Sequence, residues 1–326
     1  MNKTIEHSSM RSWSIVPIAL LLAVVLVACS GSSEAVQYNN RGNELIDEGR
    51  WQEALTELDK AIELDPDLPE AYNNRGRAYS ELGQYERALT EYNKAIQLNP
   101  NSAVAYHNRG RVYFDLEQHE QAVADYDKAI QLDPNNVMAY SNRGVAYSKL
   151  GQYEQAIADC DKALELEPNL AGAYETRAYA HFELEQPEQA FTDWAKAIQL
   201  DPNYAAAYNN RGRAYIHLKQ YEQAIADLDK AIELAPSPGK VATAYSNRGL
   251  AYYNLGQHER AIADYDTAIQ LNPNDAVTFY NRALAHHVLG EREQFLADLD
   301  KALALAGDDQ FLTATIQQAI DLFGGP

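Results

Sequence analysis

The apolar residues of this chain fall into two patterns. From Trp13 to Ala28 they form an almost unbroken run, interrupted by Pro17 and preceded by Lys3 and Arg11. From Ala35 onward they recur in a register of 34 residues, so that Ala35, Pro69, Ala103, Val137, Ala171 and Ala205 hold equivalent places. The next step is longer by Gly239-Lys240-Val241, after which Ala242 and Ala276 open two further repeats. Counted from these residues, apolar or aromatic side chains occupy positions 4, 11, 14 and 17, then 20, 21, 24, 27, 28 and 30. That is the helical period carried through two successive amphipathic helices. Gly at position 15 in five repeats breaks the first helix, and Pro at position 32 in seven repeats ends the second. Small residues at positions 8, 20 and 27 let the paired helices approach closely. The pattern predicts eight helical hairpins, each burying its apolar stripe against its neighbours because none can bury it alone. Past them, Phe311, Leu312, Ile316, Ala319, Ile320 and Phe323 describe an amphipathic helix, with Asp308 and Asp309 as N-cap candidates, that covers the last repeat.

Position 4 is Tyr or Phe in all eight repeats, position 8 Gly or Ala, position 20 Ala in seven and position 27 Ala in eight. With the Pro at position 32, these residues resemble the tetratricopeptide repeat. The resemblance covers residues 35–309 and implies an all-α fold, a right-handed superhelical solenoid of eight helix-turn-helix units (35–68, 69–102, 103–136, 137–170, 171–204, 205–238, 242–275 and 276–309) with a capping helix at 310–326. It also implies a concave face lined by positions 2, 5, 6, 9, 12 and 13 of the first helices, and protein or peptide partners.

The run from Trp13 to Ala28 is too short for a spanning helix, which needs about 20 residues. A basic start, a short apolar stretch and small residues before a cut describe a secretory signal peptide over 1–28. Leu26-Val27-Ala28-Cys29 resembles the lipobox of bacterial lipoproteins, and a start at Met10 leaves it intact. That resemblance implies cleavage before Cys29, a diacylglycerol on its thiol, and a lipidated tether over 29–34. More than one acyl chain suffices for stable membrane attachment. Residue 30 is Ser rather than the Asp that serves as an inner-membrane retention signal, so the expected location is the outer membrane where the host has one, and otherwise the outer leaflet of the plasma membrane. After lipidation Cys160 is the remaining cysteine, which excludes an intramolecular disulfide.

Charge narrows the partners. The 326 residues hold 27 Lys and Arg against 47 Asp and Glu, a formal net charge of −20. Binding nucleic-acid phosphates requires basic surface, so no nucleic-acid partner is expected. Most of the acid falls on the second helices, and the inner-face positions are nearly neutral. Tyr is over-used, 22 against 7 Phe and 3 Trp. Most of it falls at positions 4, 11, 17 and 24, which makes the excess a packing feature.

Position 6 holds Asn40, Asn74, Asn108, Asn142, Asn210, Asn247 and Asn281, with Thr176 as the exception. A carboxamide both donates and accepts hydrogen bonds, so such a file can hold an extended peptide backbone. It is similar to the asparagine ladder of the O-linked N-acetylglucosamine transferases, although no catalytic domain follows here. The other reading of the file is a part in the repeat's own folding code. At position 9, Arg77 and Arg111 are candidates for gripping a carboxylate, with Arg213 on the same face, joined by Phe114, Phe182, Tyr253 and His107. Arg at position 7 and Asp or Glu at position 23 occur in all eight repeats and are expected to pair as a structural ion ladder. Repeat 5, with Thr176, Ala178, His181, Pro187 and Trp194, departs most from the pattern, and the insertion after Pro238 is a candidate bend.

Enzymatic chemistry is not expected. The His residues are scattered, and the sequence has no HExxH, cysteine pair, phosphate-cradling Gly loop or nucleophile elbow. No cofactor or metal is expected beyond the covalent lipid on Cys29. The favoured function is a membrane-anchored adaptor that binds an extended segment of a partner protein in the concave groove. The alternative is a structural envelope module that self-associates into a homo-oligomer, its groove idle.

Overall fold

The computed structural model describes residues 34–235 and 237–323. The signal segment, Cys29 and the tether through Ser33 lie outside the described residues. Among the described residues every regular element is an α-helix. The pairs are α1 (34–47) with α2 (Trp51–Leu64), α3 (Pro69–Glu81) with α4 (Tyr85–Leu98), and α5 (Ala103–Asp115) with α6 (His119–Leu132). They continue with α7 (Val137–Lys149) and α8 (Tyr153–Leu166), α9 (Ala171–Glu183) and α10 (Pro187–Leu200), and α11 (Ala205–His217) and α12 (Tyr221–Leu234). The last are α13 (Pro238–Asn254) and α14 (His258–Leu271), α15 (Ala276–Val288) and α16 (Arg292–Leu305), and the single α17 (Gln310–Phe323). The chain divides into two compact units between Ala139 and Tyr140, inside α7. In each unit a first helix packs on its own second helix and on the second helix of the repeat before it.

The turns explain the Gly at position 15. Gly83 adopts φ of 70°, and its N–H and that of Gln84 close the end of α3 onto Ser80 and Tyr79 carbonyls at 2.9 and 2.8 Å, the left-handed helix stop. Repeats without the Gly keep the same backbone: Glu117, Glu185 and Lys219 stand at φ near 60°. A side chain there is tolerated at about 1 kcal/mol, because the flanking hairpin dictates the turn. The second helices end on an Asx turn, in which Asp65 and Asp133 each accept from the N–H two residues on at 3.1 Å.

Inside each hairpin, position 24 lies across from position 8, and it is fully buried in all eight repeats, as Leu58, Tyr92, Tyr126, Cys160, Trp194, Leu228, Tyr265 and Leu299. A Cβ at Gly76 would lie 2.8 Å from the Tyr92 ring, so the ring occupies the space that glycine leaves. The neighbouring positions carry the ion ladder. In every repeat the Arg at position 7 bonds to the acid at position 23, as in Arg109 to Asp125 at 2.7 and 2.6 Å or Arg282 to Asp298 at 2.8 and 2.6 Å. A further N–H of the same guanidinium often reaches back to position 25 of the preceding repeat, as in Arg75 to Asp59 at 2.8 Å and Arg248 to Asp229 at 2.6 Å. Each of these guanidiniums also lies 5.1–5.8 Å from the centre of the position-4 ring, within cation–π range. One residue type thus ties its own hairpin together and, where position 25 can accept, fixes the register with the previous one.

The three-residue insertion, a candidate bend from the sequence, lies in an added turn at the N-terminus of α13, which starts at Pro238. Contacts across it keep their pattern, with Asn247 bonded to Asn209 and Arg248 to Asp229. On α17, Asp309 supplies the N-cap through Leu312 N–H at 2.9 Å, and Ile316 and Ala319 bury against Phe295, Leu299 and Ala302. Phe311, expected in that contact, is 84% exposed instead. Leu312, in the same first turn, is the residue that packs on the last hairpin.

Candidate functional site

Residues from positions 2, 5, 6 and 9 line a concavity in each unit, joined in the C-terminal unit by Ser148 and Lys149 at positions 12 and 13. In the N-terminal unit Asn39, Asn40, Asn43, Asn73, Asn74 and Asn99 surround a cavity of about 420 Å³ bordered by Glu70 and Val104. Val36, Val104 and Met138, all at position 2, leave apolar surface exposed on these helices. In the C-terminal unit a second cavity, of about 460 Å³, is bounded by Val145, Lys149, Glu175, Tyr179, Asn210 and Arg213, among others.

The position-6 amides make a bond that the sequence did not reveal. Each donates to the position-5 acceptor of the preceding repeat where a bond is seen: Asn74 to Asn39 at 2.9 Å, Asn108 to Asn73 at 3.1 Å, Asn210 to Glu175 at 2.6 Å and Asn247 to Asn209 at 3.0 Å. The file therefore has a part in stacking. A carboxamide carries two N–H groups and an oxygen with two lone pairs, so one inter-repeat bond leaves capacity for a ligand. Asn40, at the start of the file, is exposed, whereas Asn142 and Asn281 are half-buried on α7 and α15.

The position-9 arginines are engaged in the same inter-repeat sense. Arg77 donates to Asn43 at 2.6 Å and Asp47 at 3.0 Å, Arg111 to Glu81 at 3.3 Å, and Arg213 to Glu183 at 2.6 Å. A ligand carboxylate at Arg77 or Arg111 has to compete with these acids. The Arg111 contact is the longest of the three and its arginine the most exposed, at 46%, so Arg111 is the easier to recruit. Burial and the Arg111 charge push His107 down to about 4, which keeps it neutral at physiological pH. Burial raises the Asp115 carboxyl, with Arg111 opposing.

Phe114 lies tilted against His119 at 5.0 Å and Tyr253 edge-on to His258 at 5.2 Å, each across a hairpin turn. Phe182 lies between Trp194 and His217, at 5.9 and 5.6 Å. Sequence reasoning did not single out Glu175, Tyr153 and Lys149 as site residues. The available signal was the break in pattern at repeat 5, where position 5 is an acid and position 6 is Thr176.

Comparison with known proteins agrees with the helical-repeat fold. A family model described as TPR repeat matches residues 42–83, 76–116, 110–151 and 178–218, and one described as tetratricopeptide repeat matches 137–170, 205–238 and 242–275. Among solved structures, the chain is similar to one from the APC/C hetero-tetramer Cut9-Hcn1, with 20% identity and a TM-score of 0.67 over 86% of this chain. This chain spans 54% of that chain's length. A tetratricopeptide repeat protein from Parabacteroides merdae matches with 23% identity and a TM-score of 0.62, over 78% of this chain and 99% of that one. A search of curated proteins gave no match. The 34-residue register, the hairpins with their small-to-large contacts and the two family models together mean that this chain belongs to the tetratricopeptide repeat family.

Proposed function

We propose that this tetratricopeptide repeat scaffold is a lipid-anchored adaptor on the exported side of a bacterial envelope, and that it holds an extended segment of a partner protein along its inner face. The observation that carries the binding reading is the cavity of about 420 Å³ walled by six asparagines. An extended backbone presents alternating N–H and C=O groups, and carboxamides can meet both without reading side chains. At about 1 kcal/mol net for each hydrogen bond, less the ordering of the peptide, the affinity is moderate. The anchor rests on the lipobox-like Leu26-Val27-Ala28-Cys29; no helix among the described residues is long and apolar enough to cross a membrane.

Replacing Asn40, Asn74 and Asn108 together by alanine is expected to weaken partner capture from solubilised membranes roughly 100-fold, the sum of about three lost bonds. Circular dichroism of the same variant must show the helical content of the parent. Capture of an unchanged set of partners would leave the self-associating module as the better account. For the anchor, Cys29→Ser is expected to abolish incorporation of labelled palmitate and leave the precursor uncut; a labelled, processed variant would refute it.

A further inference from the structure

The groove pattern breaks at repeat 5, and the break has a chemistry. Glu175 occupies position 5 and borders the cavity of about 460 Å³ in the C-terminal unit, whose walls also carry Tyr153, Tyr179, Lys149 and Arg213. Three other acids of the inner face, Asp47, Glu81 and Glu183, each meet an arginine. Glu175 meets a neutral amide, accepting from Asn210 at 2.6 Å. Burial raises its carboxyl above the ordinary glutamate value, against the opposing effects of the Asn210 bond and of Lys149 and Lys240. A half-buried carboxylate that faces an amide rather than a guanidinium can still take a charge-assisted hydrogen bond from an incoming cation.

The walls suit the same guest. The rings of Tyr153 and Tyr179 stand edge to face at 6.2 Å, and Tyr179 already carries the Arg213 guanidinium 5.2 Å from its centre. Glu183 balances the Arg213 charge at 2.6 Å. Lys149 is the opposing charge, but it is exposed, and its flexible stem lets the ammonium turn to water. A net charge of −20 draws cationic segments toward the molecule.

We propose that this cavity receives a lysine or arginine side chain of the bound segment, its cationic head on Glu175 and its stem against Tyr153 and Tyr179. The inference rests on the groove reading and sharpens it, from a peptide of any sequence to one with a basic residue at this place.

The test uses the full chain and a single blocked residue, Nα-acetyl-lysine N-methylamide, titrated while the ring signals of Tyr153 and Tyr179 are followed by NMR. The lysine probe is expected to bind roughly tenfold more tightly than the norleucine analogue, the order of one charge-assisted contact, and Glu175→Gln is expected to erase that difference. Equal binding of the two probes overturns the proposal, as does a lysine preference that survives in Glu175→Gln. Tighter binding of the glutamate analogue overturns it too, and would assign the cavity to an anion read by Lys149 and Arg213.

The Gln variant is expected to fold, with a raised melting temperature. The folded pKa of Glu175 lies above its unfolded value, so the ionised carboxylate costs stability at pH above both, and the gain from Gln disappears below about pH 4. Because a single blocked residue engages no amide file, failure of the probe overturns the cavity assignment alone. Unchanged partner capture by the Asn40, Asn74 and Asn108 variant overturns the groove reading alone.

Discussion

Trp194→Ala is expected to destabilise the C-terminal unit by about 3 to 5 kcal/mol, the cost of truncating a buried aromatic side chain. Trp194 is 0% exposed and sits at position 24 of repeat 5. Its ring lies 5.9 Å from Phe182 and 5.6 Å from Phe191, among Ala178, Ala190, Ala197, Ala207 and Ala214. The alanines around the ring are too short to reach into the space it leaves, so filling that space would require Phe182 or Phe191 to move. The indole Nε1 is buried without a hydrogen-bond partner, a group that costs about 1–3 kcal/mol when left unmet. Trp194→Phe removes that group along with part of the volume, and is therefore expected to cost clearly less than the alanine variant. In a stack whose stability is a sum of repeat and neighbour terms, a weakened central repeat separates the flanking ones. Urea denaturation followed by circular dichroism should show a lower midpoint and a shallower slope. A midpoint equal to that of the parent would mean that repeat 5 contributes little to the stack.

The second large effect is expected at the ion ladder. Asp125→Ala is expected to cost about 2 to 4 kcal/mol, because it strands a largely buried guanidinium. The side chains of Arg109 and Asp125 are 19% and 7% exposed, and the carboxylate takes both Nε and Nη2. After the substitution Asn93 still accepts from Nη1 at 2.6 Å, so one of three bonds survives. Asp125→Asn keeps one acceptor and should lie between the parent and the alanine variant. The exposed pair of Arg50 and Glu53 is the control: both side chains are at least half open to water, and Glu53→Ala should shift the thermal midpoint little, since exposed pairs contribute little. Equal shifts for Asp125→Ala and Glu53→Ala would refute a structural role for the ladder. The comparison also separates register from raw attraction, because salt screens the exposed pair far more than the buried one.

Much of this was readable along the chain. The apolar spacing indicated two helices per 34 residues, and Gly at position 15 marked the turn between them. The matching files at positions 7 and 23 announced an ion pair, because a charge present in every repeat beside an apolar stripe needs a partner of opposite sign. What stayed hidden was every contact that depends on how one repeat sits on the next. Asn74 is readable as a groove amide, but its bond to Asn39 follows from the inter-repeat offset. Arg77 and Arg111 looked available to a ligand, yet Asp47 and Glu81 of the preceding repeats meet them. Phe311 fitted the helical pattern of the cap and still points to water.

The amino-acid sequence by itself determined the helices, their turns, the small-against-large contact of positions 8 and 24 and the face on which the asparagines lie. These follow from local backbone geometry, in which 3.6 residues per turn decide which side chains share a side. Only the tertiary structure decided which polar groups on that face are already bonded to a neighbouring repeat, and that Glu175 meets an amide where Asp47, Glu81 and Glu183 meet a guanidinium. Such pairings are set by packing between helices about one repeat apart in the chain, where a shift of a few ångströms exchanges one hydrogen-bond partner for another.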